Sequence, residues 1–189
     1  QWQVEADSPA WYLPYPMLLV SEYADWAAVN DWAVELFKPQ EGLSPTLRAR
    51  ITEWMRKQDA ETRILAALRY VQEDIRYFGI EIGQNSHRPA SPNEVETRGY
   101  GDCKDKALML STLLREMGIE ADPALVPVYF NRALDDWLPM PYAFTHAIVR
   151  VRHNDETYWL DATQTQQTGP LAMQGYSSLE RALTVRPGS

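Results

Sequence analysis

Apolar residues recur at steps of four, three, four and three in two stretches of the chain. Ile64, Leu68, Val71, Ile75 and Phe78 form the first, and Cys103, Ala107, Leu110, Leu114 and Met117 the second. That spacing lines one face of an α-helix, so each stretch predicts a helix buried along one side. Asp59 supplies an N-cap for the first, and Gly79 ends it. Asp102 caps the second, Asp105 reaches back as its capping-box partner, and Gly118 closes it as the C′ residue. Gly99 and Gly101 let the chain turn just before that cap. Upstream, Ser21 can cap a helix running toward Phe37, with Trp26, Val29, Ala33 and Phe37 near one face and a stop before Pro39. Ser44 followed by Pro45 opens a further helix through about Lys57.

The period then changes. Ile119 to Tyr129 reads as a strand, and apolar residues alternate from Phe144 to Arg152 and again from Thr157 to Asp161. The polar run His153-Asn154-Asp155-Glu156 joins the last two as a hairpin. A short strand is predicted near Ala182 to Val185. Residues 80–100 lack a clear period, apart from a helical turn from Pro92 to Thr97, and this connector is where a cleft wall is expected. Residues 1–40 read as a lead-in, its prolines set among Trp2, Trp11 and Tyr12, plus one helix; it can be the tail of a preceding domain. Residues 41–189 form the main domain. Helices first, then a capped helix, then an antiparallel sheet predict an α+β fold with that helix packed on the sheet.

Composition narrows the function classes. At 189 residues, with 45% hydrophobic and 11% aromatic content, the chain can bury one substantial core. A formal net charge of −8 argues against nucleic acid and anionic membrane surfaces as partners. No apolar run approaches the roughly 18 residues needed to span a bilayer, and no signal-peptide pattern opens the chain. The absence of an initiator Met suggests a processed chain or an excised piece. A single cysteine rules out an internal disulfide and a cysteine-rich zinc site, and three histidines leave little for any other metal centre.

That cysteine, Cys103, stands at a helix start, where unpaired N–H groups and the positive end of the dipole favour a thiolate. It suits a nucleophile, and equally a small buried hydrophobe. His146 lies near the start of one strand and Asp161 at the end of the next. A hairpin register in which paired residue numbers sum to 307 or 309 brings the two together; a one-residue slip separates them. A Cys–His pair raises the thiolate fraction, and a carboxylate on the second ring nitrogen fixes the tautomer. Taken singly, His146 also reads as a hydrogen-bonded strand histidine and Asp161 as a turn former. Lys104 and Lys106 read as solvated partners of Asp102 and Asp105, His87 as a loop histidine that can line the cleft, and His153 as exposed. Trp137 and Tyr142 either rim a groove or pack on the sheet.

Three ordered blocks resemble the bacterial transglutaminase-like superfamily: Gly101-Asp102-Cys103-Lys104-Asp105-Lys106-Ala107 with its Leu-rich helix to Ile119, Thr145-His146-Ala147, and Trp159-Leu160-Asp161-Ala162-Thr163. The resemblance covers about Ile64 to Val185. With Ile75-Arg76-Tyr77 and Arg88-Pro89, it is closest to the subgroup in which this domain follows an N-terminal β-rich domain of unknown function. It implies a papain-like core with Cys103 as nucleophile, His146 as base and then acid, and Asp161 as orienting group. Members act on amides through a thioester, giving hydrolysis, deamidation or transfer to an amine, so a cysteine protease or amidase is expected, with glutamine transamidation or a non-catalytic binding module as alternatives. The Cys103 N–H is a natural oxyanion donor; Tyr77, Gln84 and Asn85 are candidates for the second. Animal transglutaminases commonly use a tryptophan there, and no Trp lies between Trp54 and Cys103. No cofactor or metal is implied. The expected partner is a protein or peptide substrate, and the expected setting a larger multidomain protein of the periplasm or cell envelope.

Overall fold

The computed structural model describes residues 7, 8, 12, 16–39, 42–57, 59–79, 81–129, 131–175 and 179–189. The prolines and tryptophans of the lead-in lie outside them, Pro16 excepted. Helix α1 spans Trp26–Leu36, and its cap is Asp25, which accepts from the Ala28 N–H at 2.8 Å. Ser21, expected to cap it, instead donates to the Pro139 carbonyl and accepts from the Tyr23 N–H. Helix α2 (Pro45–Trp54) carries the Ser44 cap with proline at its first position, and stops short of Lys57. Helix α3 (Ala60–Arg69) starts at Asp59 as expected.

The end of α3 departs from its apolar period. Tyr70–Asp74 widens into a π-helical turn and Ile75 is extended, so the helix never reaches Phe78, which is 46% exposed. The inserted π turn breaks the phase that a straight helix would have kept. Strand β1 (Arg76–Tyr77) leaves it and pairs in parallel with β2 (Tyr100–Gly101), placing Tyr77 opposite Gly101. Between them lies the expected short helix, α4 (Pro92–Arg98), opened by a Ser91–Glu94 capping box and closed by Gly99 at φ +70°.

Helix α5 (Cys103–Glu116) begins as its sequence predicts. Asp102 accepts from the Lys104 and Asp105 N–H groups, Asp105 accepts from the Asp102 N–H, and Gly118 at φ +76° lets the Ile119 N–H reach back to Leu114. One expectation fails here: α5 is not amphipathic in its surroundings, because residues 103–114 are buried on every side. Strands cover one flank and α2, α3 and α4 the other. Lys104 and Lys106 are therefore interior rather than solvated. Lys104 pairs with Asp102, and Lys106 donates to the Ile75 carbonyl at 2.7 Å. Asp105 is held by the Ala90 N–H and by Arg98.

A Cβ at Gly101 would stand 2.9 Å from Asp105 Cβ and 3.3 Å from its Oδ2. Gly101→Ala must displace the carboxylate that ties α4, the preceding loop and the α5 cap together. A loss of about 1–3 kcal/mol in urea unfolding is expected; an unchanged midpoint would show that Asp105 moves freely.

The sheet is antiparallel in the order β5–β4–β3–β6, built from β3 (Ala121–Val126), β4 (His146–His153), β5 (Glu156–Leu160) and β6 (Leu183–Thr184). Its α5 face contributes Leu125, Ala147, Val149, Val151 and Leu160 to the main core, which α1 joins through Ala33 and Phe37. Asn154 and Asp155, at φ +50° and +61°, make the two-residue hairpin turn that matches strand twist. Val149 consequently pairs with Leu160, the second of the two favourable registers. His153 ends β4 opposite Glu156 and is half-buried rather than exposed.

Candidate active site

Three elements converge at the start of α5. The first turn leaves its N–H groups unpaired until capped, and Asp102 satisfies those of Lys104 and Asp105, while the Cys103 N–H has no acceptor among the described residues. The Cys103 side chain, buried at the head of the helix, lies beside that of His146 and helps to hold its proton. The Nε2 atom of His146 lies 2.9 Å from Asp161 Oδ2, leaving Nδ1 for the sulfur. Asp161 is itself fixed: its Oδ1 accepts from the Thr163 N–H at 2.8 Å and from the Thr163 hydroxyl at 2.7 Å.

These contacts set the charges. Burial alone pulls the His146 imidazolium down, but the bonds to Asp161 and Cys103 and their charges outweigh it and lift it to about 10. Burial raises the Asp161 carboxyl, and His146 together with Thr163 brings it below its ordinary value. An imidazolium–carboxylate pair at neutral pH follows, with the sulfur on its other side.

The family model for the transglutaminase-like superfamily matches residues 46–163, more than half of the chain. The chain belongs to this superfamily. Among solved structures, a candidate protease from Parabacteroides distasonis shares the fold at a TM-score of 0.63 and 13% identity, covering 84% of this chain and 32% of that one. A candidate cysteine protease from Cytophaga hutchinsonii (TM-score 0.48, 18% identity) is covered over 42% of its chain by 70% of this one. The periplasmic domain of TgpA from Pseudomonas aeruginosa (0.46, 16%) is covered over 49% by 72%. The chain thus spans about a third to a half of the chains it resembles. No curated protein matches it.

The transglutaminase-like core opens Cys103 and His146 onto one cavity of about 630 Å³, walled by Trp32, Phe37, Phe144 and Tyr142. Tyr142, 77% exposed, rims it, whereas Trp137 is buried with Leu134 and Ala143 in a separate cluster and does not line it. His87 is exposed and lines the mouth, edge-on to Trp32 at 5.3 Å between ring centroids. Of the three oxyanion candidates, Tyr77 stands near enough to the sulfur to feel its charge, carried there by the β1–β2 pairing. Burial, then the charges of Cys103, Glu81, Asp102 and Asp161, push its hydroxyl up to about 12, which keeps it a proton donor. Gln84 and Asn85 sit on an exposed turn, Gly83–Ser86; neither they nor Tyr77 line the cavity, whereas Ser86 and the adjacent His87 do.

Of two further residues of this superfamily domain, one escapes a sequence reading and the other is misread by it. Gln72, on the π turn, donates to the Asp161 carbonyl at 2.9 Å and to Gln167 at 3.0 Å, tying α3 to the segment that carries the carboxylate. A glutamine beside Val71 on an apolar stripe was its one signal. Lys106 is the other, a lysine in the period of a buried helix. Among the described residues no cluster of three His, Cys, Asp or Glu side chains is placed to hold a metal, and no helix is long and apolar enough to cross a membrane.

Proposed function

We propose that Cys103, His146 and Asp161 form a catalytic triad that cleaves an amide of a protein or peptide through a thioester. The observation that carries this reading is His146 bonded on one side to Asp161 and set on the other beside the thiol at the first position of α5, with sulfur and imidazole opening onto one cavity. The Cys103 thiolate attacks the carbonyl carbon and the C=O electrons move to oxygen. That oxyanion is received by the Cys103 N–H and by the Tyr77 hydroxyl as second donor. His146 gives its proton to the departing nitrogen, the C–N bond breaks, and an S-acyl enzyme remains. Neutral His146 then takes a proton from the incoming water, whose oxygen attacks the thioester; the C–S bond breaks and the thiolate–imidazolium pair returns. An amine in place of water gives transfer instead of hydrolysis. In this reading the domain works within a larger protein, in line with the share of the solved chains that it spans.

Intact-mass analysis after mixing with activated acyl esters and peptide amides tests the reading. A single acyl adduct on Cys103, released by hydroxylamine, is expected, with free acid and amine as products. Amine incorporation would identify transfer as the reaction, and an adduct absent or located elsewhere would overturn the triad.

A further inference from the structure

The cavity is larger than the chemistry alone requires, and part of its wall comes from outside the matched core. Trp32 and Phe37 belong to α1 and its C-terminal cap, upstream of residue 46 where the family match begins. They face Leu125 and Phe144 across the same space that Cys103 and His146 open into. A volume of about 630 Å³ is that of a ligand pocket rather than a packing gap. A second hollow of about 470 Å³, lined by Val20, Tyr23 and Met140, shares Trp32, His87, Pro141 and Tyr142 with the first. The two make one groove that runs from the sulfur past the Trp32–His87 contact. Its edge holds Tyr129 and Tyr142, 61% and 77% exposed, large apolar surface that an occupant would cover.

We propose that this groove binds an extended peptide and that its α1 side is a subsite for a large apolar side chain within two residues of the attacked carbonyl. The inference rests on the triad reading, since Cys103 fixes where the attacked carbonyl lies. Aromatic and aliphatic walls reward burial of such a side chain, an aromatic one burying about 150–250 Å². The charges on the groove exclude another class. Glu22 and Glu81 line it, and the ammonium of Lys104 is committed to Asp102. Among the described residues lining the groove, Lys104 is the one Lys or Arg and His146 is paired with Asp161, so acidic residues near the attacked bond meet carboxylates without an unpaired Lys or Arg to answer them.

Cleavage of a quenched fluorescent peptide library, with the cut bonds located by mass spectrometry, tests this. Bonds with Phe, Trp, Leu or Met within two positions are expected to be enriched at least tenfold over those with Ala, and further over those with Asp or Glu. Trp32→Ala should collapse that ratio toward one. Tyr142→Ala, at a side chain too exposed to decide folding, should lower kcat/KM several-fold for long peptides and less for short ones. Equal cleavage of all classes, or a ratio that survives both substitutions, would overturn the subsite. No peptide cleavage alongside acyl-adduct formation on Cys103 would overturn it too; loss of both would overturn the triad reading beneath it.

Discussion

His146→Ala is expected to lower kcat/KM for an amide substrate by about 10³–10⁴-fold, and Asp161→Asn by about 10²–10⁴-fold. The two losses have different causes and different pH signatures. Without His146 the sulfur loses its proton acceptor and the leaving nitrogen its proton donor. Alkylation of Cys103 by iodoacetamide at neutral pH should fall with turnover and recover as the pH is raised, since base in solution then replaces the imidazole. Asp161→Asn keeps the imidazole but removes the bond and the charge that hold it as imidazolium up to about 10. Wild-type turnover should decline as pH rises through that value, because the acid needed for C–N cleavage is lost. In Asp161→Asn the same decline should begin at lower pH. The sign follows from Asp161 raising His146; a limb that stays in place would show that the carboxylate only positions the ring. The carboxamide also offers a donor where the ring N–H needs an acceptor, which favours the wrong tautomer. Rates near wild type in either variant would remove His146 and Asp161 from the chemistry.

What could be read from the sequence follows the range of the interactions involved. The start of α5 was legible because Asp102, Asp105 and Gly118 act within a few residues of where they stand. The β4–β5 register was legible only in part: the polar run from His153 to Glu156 marked a hairpin, but the two-residue turn at Asn154-Asp155 that selects the register carrying Asp161 to His146 is seen only in the fold. The π turn at Tyr70–Asp74 was not legible, since a period of four and three continues through Ile75 whether or not a residue is inserted. With it went the parallel β1–β2 pairing, and hence the way Tyr77 approaches the sulfur. The lysines of α5 read as solvent-facing because charge usually marks the surface. Only the arrival of helices on the flank opposite the sheet reverses that. Trp32 and Phe37 lie some seventy residues from Cys103 in sequence, and nothing local announces that they share its cavity.

Lys106→Ala is expected to cost about 3–5 kcal/mol of stability, and the more conservative Lys106→Met to reveal its cause through pH. The side chain is fully buried, and its Nζ is bonded to the Ile75 carbonyl just before β1. Alanine leaves a cavity and an unpaired carbonyl together. Methionine fills the space and removes only the charge and the donor. Burial pulls the ammonium down to about 8, against the opposing charge of Asp161. Between about 8 and the ordinary 10.5, the unfolded chain therefore holds more protons at this position than the folded one, and stability rises with pH, by at most about 1.4 kcal/mol per unit. His146 acts in the opposite direction: raised from 6.5 to about 10, it gives stability that is complete below 6.5 and lost as pH climbs through 10. For these two groups together, wild-type stability should fall from pH 6.5 to 8 and then level off, because from 8 to 10 the lysine offsets the histidine. In Lys106→Met that offset is gone, and the fall should continue to about pH 10. Urea midpoints at pH 7, 8, 9 and 10 decide it. Parallel curves for the two proteins above pH 8 would mean that Lys106 keeps its proton in the folded interior, held there by Ile75 and by the same carboxylate that orients His146.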